Sequence, residues 1–170
     1  MAHSALQFVA ANPLASTFPL VPAVVRVPFL NDDILPVKGY FESGSCERAV
    51  VAIRNFENSS AGLIERIQEY MWRAARDFAV EYGSPGDTLA DHIAKEAQVS
   101  GKRWGLTGPT GPKDIMSYVS LTEVHLMCAT GPDGSERIMI SVTGECAWDA
   151  EFGVAILLDD AGCLITAGNA

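Results

Sequence analysis

The chain has 170 residues, a length typical of one domain, and 48% of them are hydrophobic, which is enough for a folded core. Lys and Arg number 12 against 21 Asp and Glu, so the net charge is -9 at pH 7. Such a surface repels phosphate backbones and anionic lipid heads, which excludes nucleic acid and membrane surfaces as favoured partners and suits a basic protein partner.

The sequence indicates a soluble chain without cofactors. It contains no run of roughly 18 apolar residues, and no Lys or Arg precedes Arg26, so we expect no membrane span, no secretory signal and a cytoplasmic location. The four cysteines are widely separated and form no C-x-x-C pair, which predicts neither a disulfide framework nor a zinc site. These are Cys46, Cys128, Cys146 and Cys163.

The N-terminal third predicts an irregular arm followed by strands. Residues 1–20 show no clear periodicity, so we expect an irregular arm there. Val-rich or alternating stretches over residues 23–29, 34–41 and 48–55 predict three strands of an antiparallel meander. In the third stretch, Ala49, Val51 and Ile53 would share one face.

The middle of the chain predicts helices. Over residues 60–82, apolar residues recur at steps of three and four, which predicts one long amphipathic helix that must bury its stripe on the sheet. Residues 87–99 predict a weaker helix, and residues 112–118 a single helical turn that begins at a proline. The face that we expect to be buried consists of Leu63, Ile67, Met71, Ala74 and Phe78.

The C-terminal third predicts a second meander, with strands over residues 121–129, 137–143, 153–158 and 163–167. The whole chain is therefore predicted to be a single α+β domain, residues 1–170. Its antiparallel sheet is built from the N-terminal and C-terminal meanders, and one long helix with one or two shorter helices packs on one face.

One short stretch is locally unusual: it places a Trp, a Cys, a Gly and three carboxylates between two apolar strand patterns. It reads Glu145-Cys-Ala-Trp-Asp-Ala-Glu-Phe-Gly-Val154. With the order of elements, this stretch resembles a widespread uncharacterised bacterial family of small α+β domains, whose signature is Cys-x-Trp-Asp followed by Glu-His-Gly.

That resemblance implies a fold and a bacterial source, and members at toxin-immunity loci imply a binding role. One departure is that Phe152 stands where the family usually has His, so any chemistry of that His is lost here.

Two carboxylates of the stretch are the first candidates for chemistry. Asp149 and Glu151 lie two residues apart, so on an extended strand both would point the same way. Paired carboxylates can serve acid/base catalysis or hold a divalent cation. The interpretation that we favour is structural: Asp149 accepts backbone N–H groups in a turn, and Glu151 pairs with an Arg.

Trp148 and His125 complete the candidate binding residues. Trp148 could line a binding surface, but we expect it to anchor the core under the helix. His125 alternates with Glu123 on one strand face, where the pair could act as a general base or as metal ligands, although a solvated or core His is the simpler interpretation. His92 is expected on the surface.

Nucleophile and phosphate-binding signatures, including G-x-S-x-G and the P-loop, do not occur in the sequence. The sequence therefore favours a non-enzymatic protein-binding domain, immunity-like or accessory in role, that is compatible with self-association. The alternative is a small-ligand-binding domain or hydrolase that uses Asp149, Glu151 and His125 around a pocket. A pocket that gathers these groups would favour the alternative, whereas a buried Trp148 and a backbone-bonded Asp149 would favour the first hypothesis.

Overall fold

The computed structural model describes residues 17–19, 23–30, 33–42, 46–59, 62–101, 104, 108–130 and 133–170. Within them it contains seven strands, three α-helices and one 3-10 helix. In chain order these are β1 (Thr17–Pro19), β2 (Ala23–Val27), β3 (Asp33–Glu42), α1 (Cys46–Glu57), α2 (Leu63–Tyr82), α3 (Leu89–Ser100), the 3-10 helix (Pro112–Tyr118), β4 (Val119–Thr130), β5 (Glu136–Cys146), β6 (Val154–Leu158) and β7 (Leu164–Asn169).

The strands form one sheet in the order β1-β3-β4-β5-β6-β7, with β2 also paired to β3. All pairs are antiparallel except β3 and β4, which run parallel from Val37 opposite Val124 to Gly39 opposite Leu126. A parallel pair needs a long crossover, and the chain between β3 and β4 supplies it with all of its helices. The predicted α+β class is confirmed, with this one parallel pair added.

One face of the sheet forms the core together with the helices. The inward positions of β5 and β6 alternate along each strand and are fully buried. Buried residues of all the helices join them in a single cluster, so the helices cover the same face. The buried positions of the two strands are Ile138, Ile140, Val142, Val154, Ile156 and Leu158.

The long helix α2 is confirmed, and its buried stripe winds around the helix more than predicted. Ala74 and Phe78 are only half-buried, because the stripe follows strict steps of four residues through Ala75 and Ala79 instead. The helix ends at Gly83, whose N–H donates to the carbonyl oxygen of Ala79 at 2.9 Å. The buried residues of α2 are Leu63, Ile67, Met71, Ala75 and Ala79.

The strand predicted over residues 48–55 is wrong, since this stretch lies in α1. The alternation of Ala49, Val51 and Ile53 is real, but Val51 is half exposed. Burial instead follows helical steps of three and four that the strand interpretation overlooked, and it extends to a fully buried Phe56. The buried residues of α1 are Ala49, Ala52, Ile53 and Phe56.

The weaker predicted helix is α3, which begins at Leu89 rather than at residue 87. Thr88 caps α3: its hydroxyl accepts from the N–H of Asp91, whose carboxylate accepts from the N–H of Thr88.

Residues 17–19 of the predicted irregular arm pair with β3 as a strand, and residues 1–16 and 20 lie outside the described part of the chain. No helix in the described ranges is long and apolar enough to cross a membrane.

Candidate functional site

The unusual stretch forms the loop between β5 and β6, and it sits at the end of the sheet beside the 3-10 helix. Cys146 is the last residue of β5 and pairs with Val119. The N–H of Ala147 then donates to the carbonyl oxygen of Tyr118 at 3.0 Å. Residues 146–149 are all buried, although residues 147–153 belong to no strand or helix. We call residues 146–153 the motif loop.

Trp148 has no exposed surface and is held at both its side chain and its backbone. Its indole Nε1 donates to Oδ1 of Asn169 at 2.9 Å. Its carbonyl oxygen lies 2.8 Å from Nε2 of His92, and because a carbonyl can only accept, Nε2 must carry the hydrogen. Trp148 is therefore the core anchor that the sequence indicated.

Asp149 is 4% exposed, and its carboxylate is used within the loop. Oδ1 accepts the backbone N–H groups of Glu151 at 3.2 Å and of Phe152 at 3.0 Å. Oδ2 lies 3.4 Å from Nδ2 of Asn169, so the same amide bridges Trp148 and Asp149. A turn leaves backbone donors without ladder partners, and this carboxylate satisfies two of them.

Cys146 and Gly153 close the loop at its two ends. The Cys146 thiol lies 3.5 Å from the carbonyl oxygen of Asp149, and burial raises the pKa of this thiol to about 12. It is thus an uncharged core group rather than a nucleophile. Gly153 has φ +76° and lies against the carbonyl of Gly144. A side chain at this position would strain the backbone and would clash with the backbone atoms of Gly144.

Glu151 and Phe152 are the exposed part of the loop. The side chain of Glu151 does not share a strand with Asp149, since both residues lie in or beside a turn. Phe152 is 67% exposed, and Tyr82 at the end of α2 is 64% exposed. The negative charge of Glu81 is the largest cause that raises the pKa of Tyr82. The Tyr82 ring packs on Phe78 with ring centroids 4.5 Å apart, and Phe78 packs on His92, which bonds to Trp148 of the motif loop.

We call Glu81, Tyr82, Glu151 and Phe152 the acidic rim. All four residues are exposed: Glu151 and Phe152 belong to the motif loop, and Glu81 and Tyr82 belong to the end of α2. The last turn of α2 contains no basic residue, so Glu81 adds its charge to the negative end of the helix dipole. The rim is therefore a place where a cationic group would be favourable.

His125 lies elsewhere, on the sheet face opposite the helices. Its Nε2 is 2.8 Å from Oε1 of Glu123, and Glu123 also forms an ion pair with Lys38 of β3. Hydrogen bonds from Lys38 and His125, in that order, hold the pKa of the Glu123 carboxyl below its usual range. The structure thus bonds His125 to Glu123, the arrangement that the sequence interpretation did not favour, and it does not bring His125 to Asp149 and Glu151.

Two grooves on the surface are lined by residues other than the candidate site residues. One, of about 400 Å³, lies between α1 and the β6–β7 turn and is lined by Arg48, Val51, Asn55, Asp160 and Ala161. The other, of about 340 Å³, lies between α2 and the start of α3. In the described ranges, no three His, Cys, Asp or Glu side chains are grouped as metal ligands, and Cys128 lies on the opposite strand face from His125.

Two residues of the loop network escaped the sequence interpretation. His92 was expected on the surface, but it is 4% exposed and packs against Phe78 with ring centroids 5.6 Å apart. The burial of His92 could have been predicted, because His92 lies three residues after Leu89 on the apolar side of α3. The residues around Asn169 in the sequence do not indicate its role, because that role depends on the pairing of Asn169 in β7 with Val154 in β6.

Together the fold and the motif loop define a small α+β domain whose helices cover one sheet face and whose β5–β6 connection is bonded to itself and to β7. The chain belongs to the family described as a domain of unknown function (DUF6985), whose model matches residues 21–170. No curated protein and no solved structure matches the chain.

Proposed function

We propose that this protein is a non-enzymatic binding domain whose partner is a basic protein, and that the acidic rim receives that partner. In the bacterial setting that the sequence resemblance implies, the role would be immunity-like or accessory. The single observation that carries the proposal is the use of the motif-loop groups inside the fold, which leaves Glu151 and Phe152 to face outward.

The first support comes from what the buried groups can no longer do. A general acid or base must reach a substrate, whereas both carboxylate oxygens of Asp149 already face donors from the loop or from Asn169. Cys146 is buried and protonated at neutral pH because of its high pKa. Neither group is therefore free to act on a substrate in this conformation.

The second support is the chemistry of the rim. Exposed aromatic rings are the side chains that most often dominate protein interfaces, and they attract Lys and Arg side chains through their faces. Tyr82 and Phe152 are both mostly exposed, and Glu81 and Glu151 lie next to them in sequence. The net charge of -9 would further accelerate the approach of a basic protein.

The alternative, a ligand-binding domain or hydrolase that uses Asp149, Glu151 and His125, has weaker support. These residues lie on different parts of the molecule: Asp149 is in the loop on the core side, and His125 is on the far sheet face. A site built from them would need the sheet to be rearranged. The ion pair of Lys38 with Glu123 also occupies the carboxylate nearest to His125.

The proposal is tested with purified basic proteins encoded next to the gene for this chain, each titrated by calorimetry. We expect one of them to bind, with an affinity that falls as salt rises. Glu151→Lys should weaken that binding about tenfold or more. Glu65→Lys makes the same charge change about 25 Å from Tyr82 along α2, and it should have a much smaller effect.

Two results would contradict the proposal. One is binding that Glu151→Lys and Phe152→Ala leave unchanged while both variants remain folded. The other is turnover of a small ester, amide or phosphate substrate that is lost in Asp149→Asn and His125→Ala, because such dependence would make these residues catalytic.

A further inference from the structure

The groove of about 340 Å³ between α2 and the start of α3 combines apolar walls with access to solvent. Trp72 and Leu89 line it and also pack against the core cluster, so the fold sets their positions. Val80 lines it too and is 85% exposed. We call this surface the α2–α3 groove. It has the size and the apolar lining of a binding site, and none of its lining residues belongs to the motif loop.

Contacts within the fold fix the shape of the α2–α3 groove. Gly108 has φ +69° and lies so close to Ala90 that a side chain at this position would clash with it. Pro109 follows, is buried and lines the groove. On the side of α3, Thr88 is held by its capping box with Asp91. The groove is therefore formed before any partner binds, so no ordering of the chain opposes binding.

The charges that line the groove do not cancel. The carboxylate of Asp87 accepts the backbone N–H of Ser84 at 2.9 Å and forms an ion pair with Lys95, so its charge is already compensated. Arg76 also lines the groove, and in the described ranges its guanidinium group takes part in no hydrogen bond or ion pair. The groove thus presents one uncompensated positive charge in a molecule whose net charge is -9.

A second donor beside the apolar walls also lacks an acceptor. Within the part of the chain that the structure describes, the indole N–H of Trp72 forms no hydrogen bond, in contrast to that of Trp148. A guanidinium group pairs best with a carboxylate, to which it can donate two parallel bonds. Trp and Arg are also the side chains that most often dominate protein interfaces. Charge and lining together select an occupant that carries a carboxylate next to an apolar group.

We propose that the α2–α3 groove is a docking site for a short acidic segment of a partner protein. The segment places an apolar side chain against Trp72 and Val80 and a carboxylate on Arg76. The eight residues from Trp72 to Val80 span about 12 Å of helix, which about four residues of an extended segment cover. This site does not include the acidic rim, and the proposal does not rest on the function proposed above.

The test is a titration of the full chain with two synthetic peptides, followed by NMR of the tryptophan indole N–H groups. Both peptides contain the same central pair of leucines, flanked by aspartates in one and by lysines in the other. We expect the acidic peptide to bind about tenfold more tightly, although the net charge of the chain favours the basic one. The indole signal of Trp72, assigned with Trp72→Phe, should shift, whereas that of the fully buried Trp148 should stay in place.

Two matched pairs of variants locate the peptide. Arg76→Gln should weaken binding of the acidic peptide about fivefold, because it removes an exposed ion pair. Arg73→Gln makes the same change at an exposed position of α2 that does not line the groove, and it should have a much smaller effect. Val80→Ser should also weaken binding, whereas Val99→Ser, at a position of α3 that is 84% exposed, should not. All four positions are exposed, so the variants should stay folded.

Three results would overturn the proposal. The first is a basic peptide that binds as tightly as the acidic one. The second is an equal effect of Arg76→Gln and Arg73→Gln on the acidic peptide. The third is a Trp72 signal that stays fixed up to about 5 mM acidic peptide, because the peptide would then bind elsewhere or not at all. The rim test above uses Glu151 and Phe152, which do not line the groove, so the two proposals fail independently.

Discussion

His92 and Asn169 both bond to Trp148, one at its backbone and one at its side chain, and these two bonds hold the motif loop in place. Asn169 accepts from the indole of Trp148 and donates toward Asp149, and His92 donates to the carbonyl of Trp148. The amide orientation of Asn169 is therefore fixed, because a flipped amide would place its N–H groups against the indole N–H. Local sequence could indicate Trp148 and Asp149, but not partners that lie 56 and 20 residues away from them.

We predict that His92→Phe lowers the free energy of unfolding by about 1–3 kcal/mol. The substitution keeps a ring against Phe78 but leaves the buried carbonyl of Trp148 without a donor. Chemical denaturation measures the loss. Val99→Ala, at an exposed position of the same helix, is the control and should stay within about 0.5 kcal/mol of the wild type. A His92→Phe variant as stable as that control would mean that the hydrogen bond does not contribute.

Cys146 gives a prediction on pH. Its pKa is raised by burial from the ordinary value of 9.0 to about 12 in the folded chain. A raised pKa means that the unfolded thiol loses its proton first, so this stabilising contribution is complete below about pH 9 and is lost as pH rises toward 12. The loss approaches roughly 1.4 kcal/mol per pH unit. The difference in unfolding free energy between the wild type and Cys146→Ala should shrink across that range, and a constant difference would contradict the burial of the thiol.

At the scale of elements, α1 shows where periodicity is ambiguous. Over residues 48–55 the same apolar residues satisfy both an alternating and a helical pattern. Only the longer window that reaches Phe56 separates them, because Ala49, Ala52 and Phe56 follow the helical period alone. The parallel pairing of β3 with β4 is harder still, since no residue within either strand determines the direction of its neighbour.

The strict four-residue stripe of α2 predicts a strong contrast between its two sides. Ile67→Ala should cost about 2–5 kcal/mol of unfolding free energy, because Ile67 has no exposed surface and the substitution leaves a cavity. Val80→Ala is the control on the same helix, where Val80 is 85% exposed and should change stability by less than about 0.5 kcal/mol. Thermal or urea unfolding measures both. Equal costs at the two positions would refute the packing of α2 on the sheet.

At the scale of the whole molecule, the hydrophobic core and the charged groups occupy separate parts of the structure. The core lies between the sheet and the helices, the acidic rim is formed by the motif loop and the end of α2, and the Lys38–Glu123 ion pair lies on the sheet face opposite the helices. Composition predicted the acidic character of the surface but not this division, because the positions of charges depend on which strand face and which helix side each residue occupies.

We expect the purified protein to contain no stoichiometric zinc. In the described ranges, no three His, Cys, Asp or Glu side chains are arranged as ligands, and Cys128 and His125 face opposite sides of β4. Elemental analysis of protein prepared without added metal is the measurement. Zinc at one equivalent per chain, lost in His125→Ala, would show that the sheet face has a ligand set that this conformation does not display.

The central claim is that Asp149 holds the motif loop together, and the thermal stability of Asp149→Asn tests it most directly. An asparagine would turn its own amide N–H groups toward Nδ2 of Asn169 and would weaken the charge-assisted bonds to Glu151 and Phe152. We predict a loss of about 1–3 kcal/mol, or roughly 2–4 °C in Tm per kcal/mol, whereas the exposed control Glu151→Gln should stay within about 0.5 kcal/mol of the wild type. An Asp149→Asn protein that keeps the wild-type Tm but no longer binds its partner would contradict this claim, because Asp149 would then belong to the binding site itself.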